Sequence, residues 1–141
     1  MFVPKSLGPV EVSVTREQLV RYAAASGDFN PIHYDTLTAQ SFGLPGVIIH
    51  GMLSMGLWDL LFVPFYQEGY RITHFHARFR QIVQPSQLIL SGTVNSPGPR
   101  ELRVTLAAHV KGESKAAVTG EAALVLTPRA SHGTATGQVR P

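Results

Sequence analysis

The 141-residue chain contains no cysteine. Disulfides, thiolate nucleophiles and thiolate metal sites are therefore excluded, and nothing points to an oxidising compartment. Charge is sparse as well, at 15% of residues. Twelve Lys and Arg against nine Asp and Glu leave a formal charge of +3, without an arginine-rich block or a basic helix. Composition thus gives no support for a nucleic-acid partner. Long apolar runs are also missing. The longest, Gly51 to Tyr66, is interrupted by Asp59 and Pro64 and falls short of the roughly 20 residues that span a bilayer. The opening MFVPKSLGPVEV lacks the apolar core of a signal peptide, so a cytoplasmic location and no membrane partner are expected.

What is present is a 44% hydrophobic chain, enough to fold around one sizeable core. Val10, Val12 and Val14 alternate with polar residues, a strand pattern. Thr15 is placed to cap a helix, with Gln18 at the capping-box spacing. Leu19, Val20, Ala23 and Ala24 are expected as its buried stripe and Gly27 as its end. A short helix over 36–42 is stopped by Gly43. Residues 51–62 form the longest helical candidate, ended by Pro64 and apolar on almost every side, which predicts a helix buried all round. Strand-length runs follow at 71–83, 88–94, 101–110 and 116–126, broken at Pro85-Ser86, at 96–99 and at Lys111-Gly112-Glu113. Several strands after one helix, without alternation, give an α+β class with an antiparallel sheet wrapped around that central buried helix. Residues 1–127 are expected as the domain and 128–141, rich in Gly, Ser, Thr, Ala and Pro, as a disordered tail in which His132 has no role.

Two ionisable side chains, Asp28 and His33, stand five residues apart in a turn-rich segment with Asn30 and Pro31 between them. A carboxylate beside an imidazole is the minimum apparatus for activating water, and proline stiffens the loop that spaces them. Asp and Asn are equally common turn formers, and spacing alone favours that plainer role. Downstream, Gly51 opens the central helix after His50. Unpaired N–H groups at a helix start are ready for an oxyanion, and glycine admits close approach. Packing alone also explains Gly51, and a capping position explains His50.

Taken together, Ala25-Ser26-Gly27-Asp28-Phe29-Asn30-Pro31-Ile32-His33-Tyr34-Asp35, then Phe42-Gly43 and Ile49-His50-Gly51-Met52-Leu53, resemble the hydratase motif of the MaoC-like family. The resemblance runs from about Val10 to Leu126. It implies a single hotdog fold and the chemistry of (R)-specific enoyl-CoA hydratases and (R)-3-hydroxyacyl-thioester dehydratases. By that resemblance Asp28 and His33 are the pair that activates water, Asn30 supports them, and the Gly51 N–H polarises the thioester carbonyl. The expected substrate is a CoA or acyl-carrier-protein thioester, with no metal and no further cofactor. His50, Met52, Met55, Trp58, Arg78 and Arg80 are the candidate substrate contacts: the apolar ones for an acyl chain, the arginines for phosphate. In many members the proline equivalent to Pro85 precedes a glycine–acid pair, whereas Ser86-Gln87 stand here.

His74 and His76 alternate on a predicted strand, but no third ligand lies nearby, so a zinc site is not expected. Alternatives to the hydro-lyase are a hotdog thioesterase and a subunit of a heteromeric dehydratase. The length fits one hotdog unit rather than a fused pair. A lone hotdog sheet leaves edges uncovered, so a homodimer is expected, with a heterodimer of homologous subunits as the other arrangement.

Overall fold

Alternating burial turns the predicted strands into an antiparallel sheet in this computed structural model, which describes residues 3–95 and 98–127. The strands are β1 (Ser6–Ser13), β2 (Tyr70–Phe79), β3 (Gln87–Val94), β4 (Glu101–Val110) and β5 (Ala116–Leu126). They lie in the order β1-β3-β4-β5-β2 with every neighbouring pair antiparallel. The helices are α1 (Arg16–Ser26), α2 (Thr36–Ser41), α3 (Gly51–Leu57) and α4 (Asp59–Gln67), with a 3-10 turn at Pro31–His33. The sheet curls around α3 and α4, the hotdog arrangement of the α+β class. Among the described residues no helix is long and apolar enough to cross a membrane. The segment 128–141, expected as a tail, lies outside the described residues.

The core sits between the helices and the inner face of the sheet. Trp58 and Phe62 are fully buried against Leu90, Leu102, Leu106 and Leu124. Burying side chains of this size stabilises the fold by about 1.5–3 kcal/mol each. Trp58 satisfies its one donor by giving its Nε1–H to the Ala107 carbonyl, 3.2 Å away, as a buried indole must.

Local signals are realised at α1. Thr15 Oγ1 accepts from the Gln18 N–H, Gln18 Oε1 accepts from the Thr15 N–H, and Gly27 closes the helix at φ +76°. The predicted stripe is narrower than expected. Leu19 and Ala23 are buried, whereas Val20 and Ala24 are exposed, because one short helix on the rim of the sheet is covered along a single line. The hairpin at Lys111-Gly112-Glu113 has Gly112 at φ +89°.

Three expectations are corrected. The central helix does not end at Pro64 but runs as two pieces to Gln67, with Gly69 (φ +94°) past its end. Pro64 lies on the exposed side, where the helix can bend away from the ring and the Leu60 carbonyl has room to tilt outward. The break falls instead at Trp58, whose N–H tightens onto the Met55 carbonyl at 3.2 Å. Asp59 follows as the first residue of α4, where a carboxylate suits the helix N-terminus, and it accepts a hydrogen bond from the Tyr66 hydroxyl.

Nor is this central element buried all round. Its inner face carries Ser54, Trp58, Leu61, Phe62 and Phe65, while Met52, Leu60 and Val63 are exposed. One sheet can cover only one side of a helix. Finally, β2 stops at Phe79 rather than near residue 83. The N–H groups of Arg80 and Gln81 both turn to the Ala117 carbonyl, at 2.8 and 3.2 Å, and the chain then leaves the sheet towards the loops.

Candidate active site

Three segments distant in sequence are tied together by backbone hydrogen bonds. The Ile48 N–H donates to Ile32 O at 3.1 Å and the Ile49 N–H to Val83 O at 2.7 Å. The approach to α3 is thereby clamped between the turn at 31–33 and the chain leaving β2. Within the turn, Asn30 Oδ1 accepts from the Ile32 N–H, and Asp28 Oδ1 accepts from the Asn30 N–H, both at 3.3 Å. These short-range bonds are the Asx-turn chemistry that the sequence allowed. They occupy one carboxylate oxygen and leave the other free.

That other oxygen, Asp28 Oδ2, lies 3.8 Å from His33 Nε2. The His33 side chain is 10% exposed and that of Asp28 50%, so the pair is reached from the carboxylate side. His33 Nδ1 stands 2.8 Å from the Ile48 carbonyl. A carbonyl only accepts, so Nδ1 carries a hydrogen, and in the neutral ring Nε2 presents its lone pair towards Asp28. At 3.8 Å the two groups are too far apart for a direct hydrogen bond but can share one water between them.

His50, expected as a capping residue or a substrate contact, occupies the position before α3 but makes no side-chain cap bond. Its side chain turns inward, 1% exposed, and stacks on His33 with ring centroids 3.7 Å apart and planes at 21°. The ring also packs against Tyr22, with centroids 4.7 Å apart and planes at 61°, a contact that only the three-dimensional fold discloses. His50 Nε2 is 3.3 Å from the Asp28 carbonyl oxygen, while its Nδ1 is buried with no hydrogen-bond partner among the described residues. Burial first, and then the neighbouring His33 imidazole, hold its pKa below the ordinary histidine value.

This has a consequence for stability. The unfolded chain binds the His50 proton more readily than the folded one, so stability is full above about pH 6.5 and falls as the pH drops from there towards the depressed value. Thermal melts from pH 7.5 to 5 are expected to show this loss, and His50→Asn to flatten it. Asp35, whose pKa is lowered chiefly by the Thr38 hydroxyl, contributes in the same direction only in the carboxylate range. The two windows therefore separate. Equal slopes for the wild type and His50→Asn between pH 6.5 and 5 would contradict the assignment.

The other candidates divide. Gly51 starts α3 with the Phe79 ring pressed against it: a Cβ there would lie 3.0 to 3.1 Å from ring atoms. Phe79, half exposed, is thus a second neighbour missed in the sequence. Met52 is exposed and Met55 half-buried on the same helix. Trp58 is core, enclosed under β5 rather than facing an opening. Arg78 and Arg80 do not join the pair. They line an outer groove of about 240 Å³ with His76, Thr105, Thr119 and Glu121, on the side of the sheet away from the helices. His74 and His76 are exposed there too.

Among the described residues, one group offers three metal-type ligand atoms within 4.8 Å of one another: Asp28, His33 and His50. The nearly parallel imidazoles send their in-plane lone pairs alongside each other rather than to a common point, and one ring nitrogen of each already faces a carbonyl. The set fits a hydrogen-bonded stack better than a tripod of ligands.

Known proteins are similar to this chain in sequence or in fold. 3-hydroxyacyl-thioester dehydratase X of Mycobacterium tuberculosis is 46% identical over 52 residues, covering 36% of this chain and 19% of that protein. The peroxisomal hydratase-dehydrogenase-epimerase of Neurospora crassa is 31% identical over 114 residues, covering 81% of this chain and 12% of that one. The chain therefore spans less than a fifth of the length of these curated relatives. Among solved structures, the R-hydratase PhaJ1 from Pseudomonas aeruginosa superimposes with a TM-score of 0.77 at 26% identity, over 89% of this chain and 82% of that one. The MaoC like domain profile matches residues 4–119, most of the chain and all of the site just described, and the chain belongs to that family.

Proposed function

We propose that the protein adds water across the double bond of a trans-2-enoyl thioester to give the (R)-3-hydroxyacyl thioester, and catalyses the reverse dehydration. The single observation that carries this reading is the carboxylate oxygen Oδ2 of Asp28 standing 3.8 Å from His33 Nε2, a separation at which one water beside the two atoms could hydrogen-bond to both. The relatives named as hydratases and dehydratases support the same class of reaction.

His33, fixed by the Ile48 carbonyl, and Asp28, fixed by the Asn30 N–H, hold the water and orient it towards Cβ. As the water oxygen bonds to Cβ, the Cα=Cβ electrons move towards the thioester carbonyl. The Gly51 N–H, at the start of α3, stabilises the oxygen that takes up this charge. The pair accepts the proton lost by the water, and a proton is returned to Cα from the same face, so the protein regains its starting protonation state. Nothing is oxidised or reduced, and the thioester bond is untouched.

The acyl carrier is CoA or an acyl carrier protein, both offering the same thioester. The uncovered apolar side of α3 and α4 and the free edge of β2 are the surfaces for a second subunit. A second copy is the simplest occupant, and a homologous chain the other.

Crotonyl-CoA tests the reading. Loss of enoyl absorbance without release of free thiol is the expected result. Thiol release without hydration would replace the reading with a thioesterase. Size-exclusion chromatography, with the assay run on the same fractions, should place the activity in a dimer peak. A dimer without activity would point to a heteromeric enzyme instead.

A further inference from the structure

The reaction just described uses His33 and Asp28 but leaves His50 without a task, although that side chain touches both. We propose that His50 is a positioning residue: its ring backs the imidazole of His33 while its Nε2–H holds the Asp28 carbonyl, so that one buried side chain sets the distance between the two working groups. The inference rests on the hydration reading for what is being positioned, but its geometric content is independent of it.

Four observations carry it. The His33 and His50 rings are stacked at 3.7 Å and 21°, so His33 cannot rotate or retreat on that side. His50 Nε2 lies 3.3 Å from the oxygen of Asp28, which can only accept; the nitrogen therefore carries the hydrogen. The Tyr22 ring packs on His50 as well, steeply inclined at 61° with centroids 4.7 Å apart. Finally, His50 Nδ1 is buried and has no hydrogen-bond partner among the described residues. A leucine or phenylalanine would fill the same space without an orphaned polar atom, whose burial costs stability. Filling space is thus a poor reason for histidine at this position, and holding the Asp28 carbonyl from a ring-shaped support is a good one.

The titratable groups facing His50 are Tyr22 from α1 and Asp28 and His33 from the turn. A neutral ring suits the position, because during turnover His33 takes a proton and presents a cation to the face of its neighbour. A neutral aromatic face accommodates that cation, whereas a second imidazolium would repel it.

The test is a set of three variants assayed with crotonyl-CoA. His50→Ala removes both contacts and is expected to lower kcat about 100-fold, the scale of a small misplacement of reacting groups, with KM within about threefold. His50→Phe restores the ring and His50→Asn restores a donor, and each is expected to recover about tenfold of that loss through the same positioning. A folded His50→Ala with kcat within about threefold of wild type, or a loss confined to KM, overturns the proposal. Should His50→Ala not fold, the Phe and Asn variants decide: lowered kcat at unchanged KM in both supports the role, and wild-type kcat in both overturns it.

Long-range 15N–1H spectra of the histidine rings supply a readout that needs no activity. His50 is expected as the neutral Nε2–H form at pH 7, and an Nδ1–H form or an imidazolium overturns the proposal. Absence of hydration by the wild type, with the expected His50 spectrum, would count against the hydration reading and leave the positioning geometry standing.

Discussion

Asp28→Asn is expected to lower kcat for hydration of crotonyl-CoA by about a thousandfold, within the range that a positioned acid–base group contributes, while the melting temperature stays close to that of the wild type. The carboxylate is half exposed and its structural duty is small: Oδ1 accepts the Asn30 N–H, and an amide oxygen does the same. What the amide cannot do is accept hydrogen bonds at both of its outer atoms. The nitrogen or oxygen left facing His33 Nε2 no longer carries the charge that draws a proton from a shared water.

His33→Ala removes the other half and should reduce kcat by a similar factor, but with a different structural signature. It orphans the Ile48 carbonyl and removes one ring of the stack, so a loss of about 1–3 kcal/mol of stability accompanies it. The double variant is expected to be little slower than either single one, since residues that act as a unit are not additive. Steady-state kinetics beside thermal melts of all three would decide. Rates within tenfold of the wild type for both single variants, in folded protein, would remove Asp28 and His33 from the chemistry.

How far such a site can be read before folding depends on the range of the signal. Thr15, Gln18 and Gly27 act within one or two turns, and the capping box and helix end appear where spacing put them. The strands after residue 86 are legible for the same reason, because polar turns and apolar alternation are local. Pro64 misleads because the rule against proline presumes no room for the opposing carbonyl, and on the exposed side of a helix there is room. Val20, Ala24, Met52, Leu60 and Val63 mislead because hydrophobicity tells that a residue can be buried, not that a neighbour exists to bury it.

The site divides along the same line. Asp28, Asn30 and His33 share one loop, so their proximity was readable. His50 is 17 residues from His33, Tyr22 is 28 from His50, and Phe79 is 28 from Gly51. Only the clamp of residues 48 and 49 onto residues 32 and 83 brings them together. An inward-facing histidine before a helix that it does not cap has no local signature.

Gly120→Ala is expected to be a strongly damaging small substitution away from the reacting groups. Gly120 lies in β5 directly over the indole of Trp58. A Cβ there would sit 2.5 Å from the His76 carbonyl oxygen and 2.7 and 2.9 Å from two carbons of the indole ring. The carbonyl belongs to the neighbouring strand β2 and cannot swing aside without breaking the ladder. The indole is fully buried and anchored through its Nε1–H on Ala107. With neither neighbour free to yield, the overpacking cost lies at or beyond the upper end of the usual range, about 3 kcal/mol. For a domain of this size that corresponds to a fall of on the order of 10 °C in melting temperature.

Trp58→Phe isolates the indole's share. Alone it destabilises, because it empties the space of the larger ring and orphans the Ala107 carbonyl. Combined with Gly120→Ala, the new methyl group enters the space that the indole vacated, so the double variant should be more stable than the sum of the two losses by about 1 kcal/mol or more. The His76 carbonyl keeps the rescue incomplete. Strict additivity in the cycle would show that the strand alone excludes the methyl group. Trp58 is also the joint between α3 and α4. Displacing it tilts the start of α3, where Gly51 faces Phe79, and the fraction of Gly120→Ala that still folds should therefore turn over more slowly than the wild type, with Trp58→Phe restoring part of that rate as it restores part of the stability.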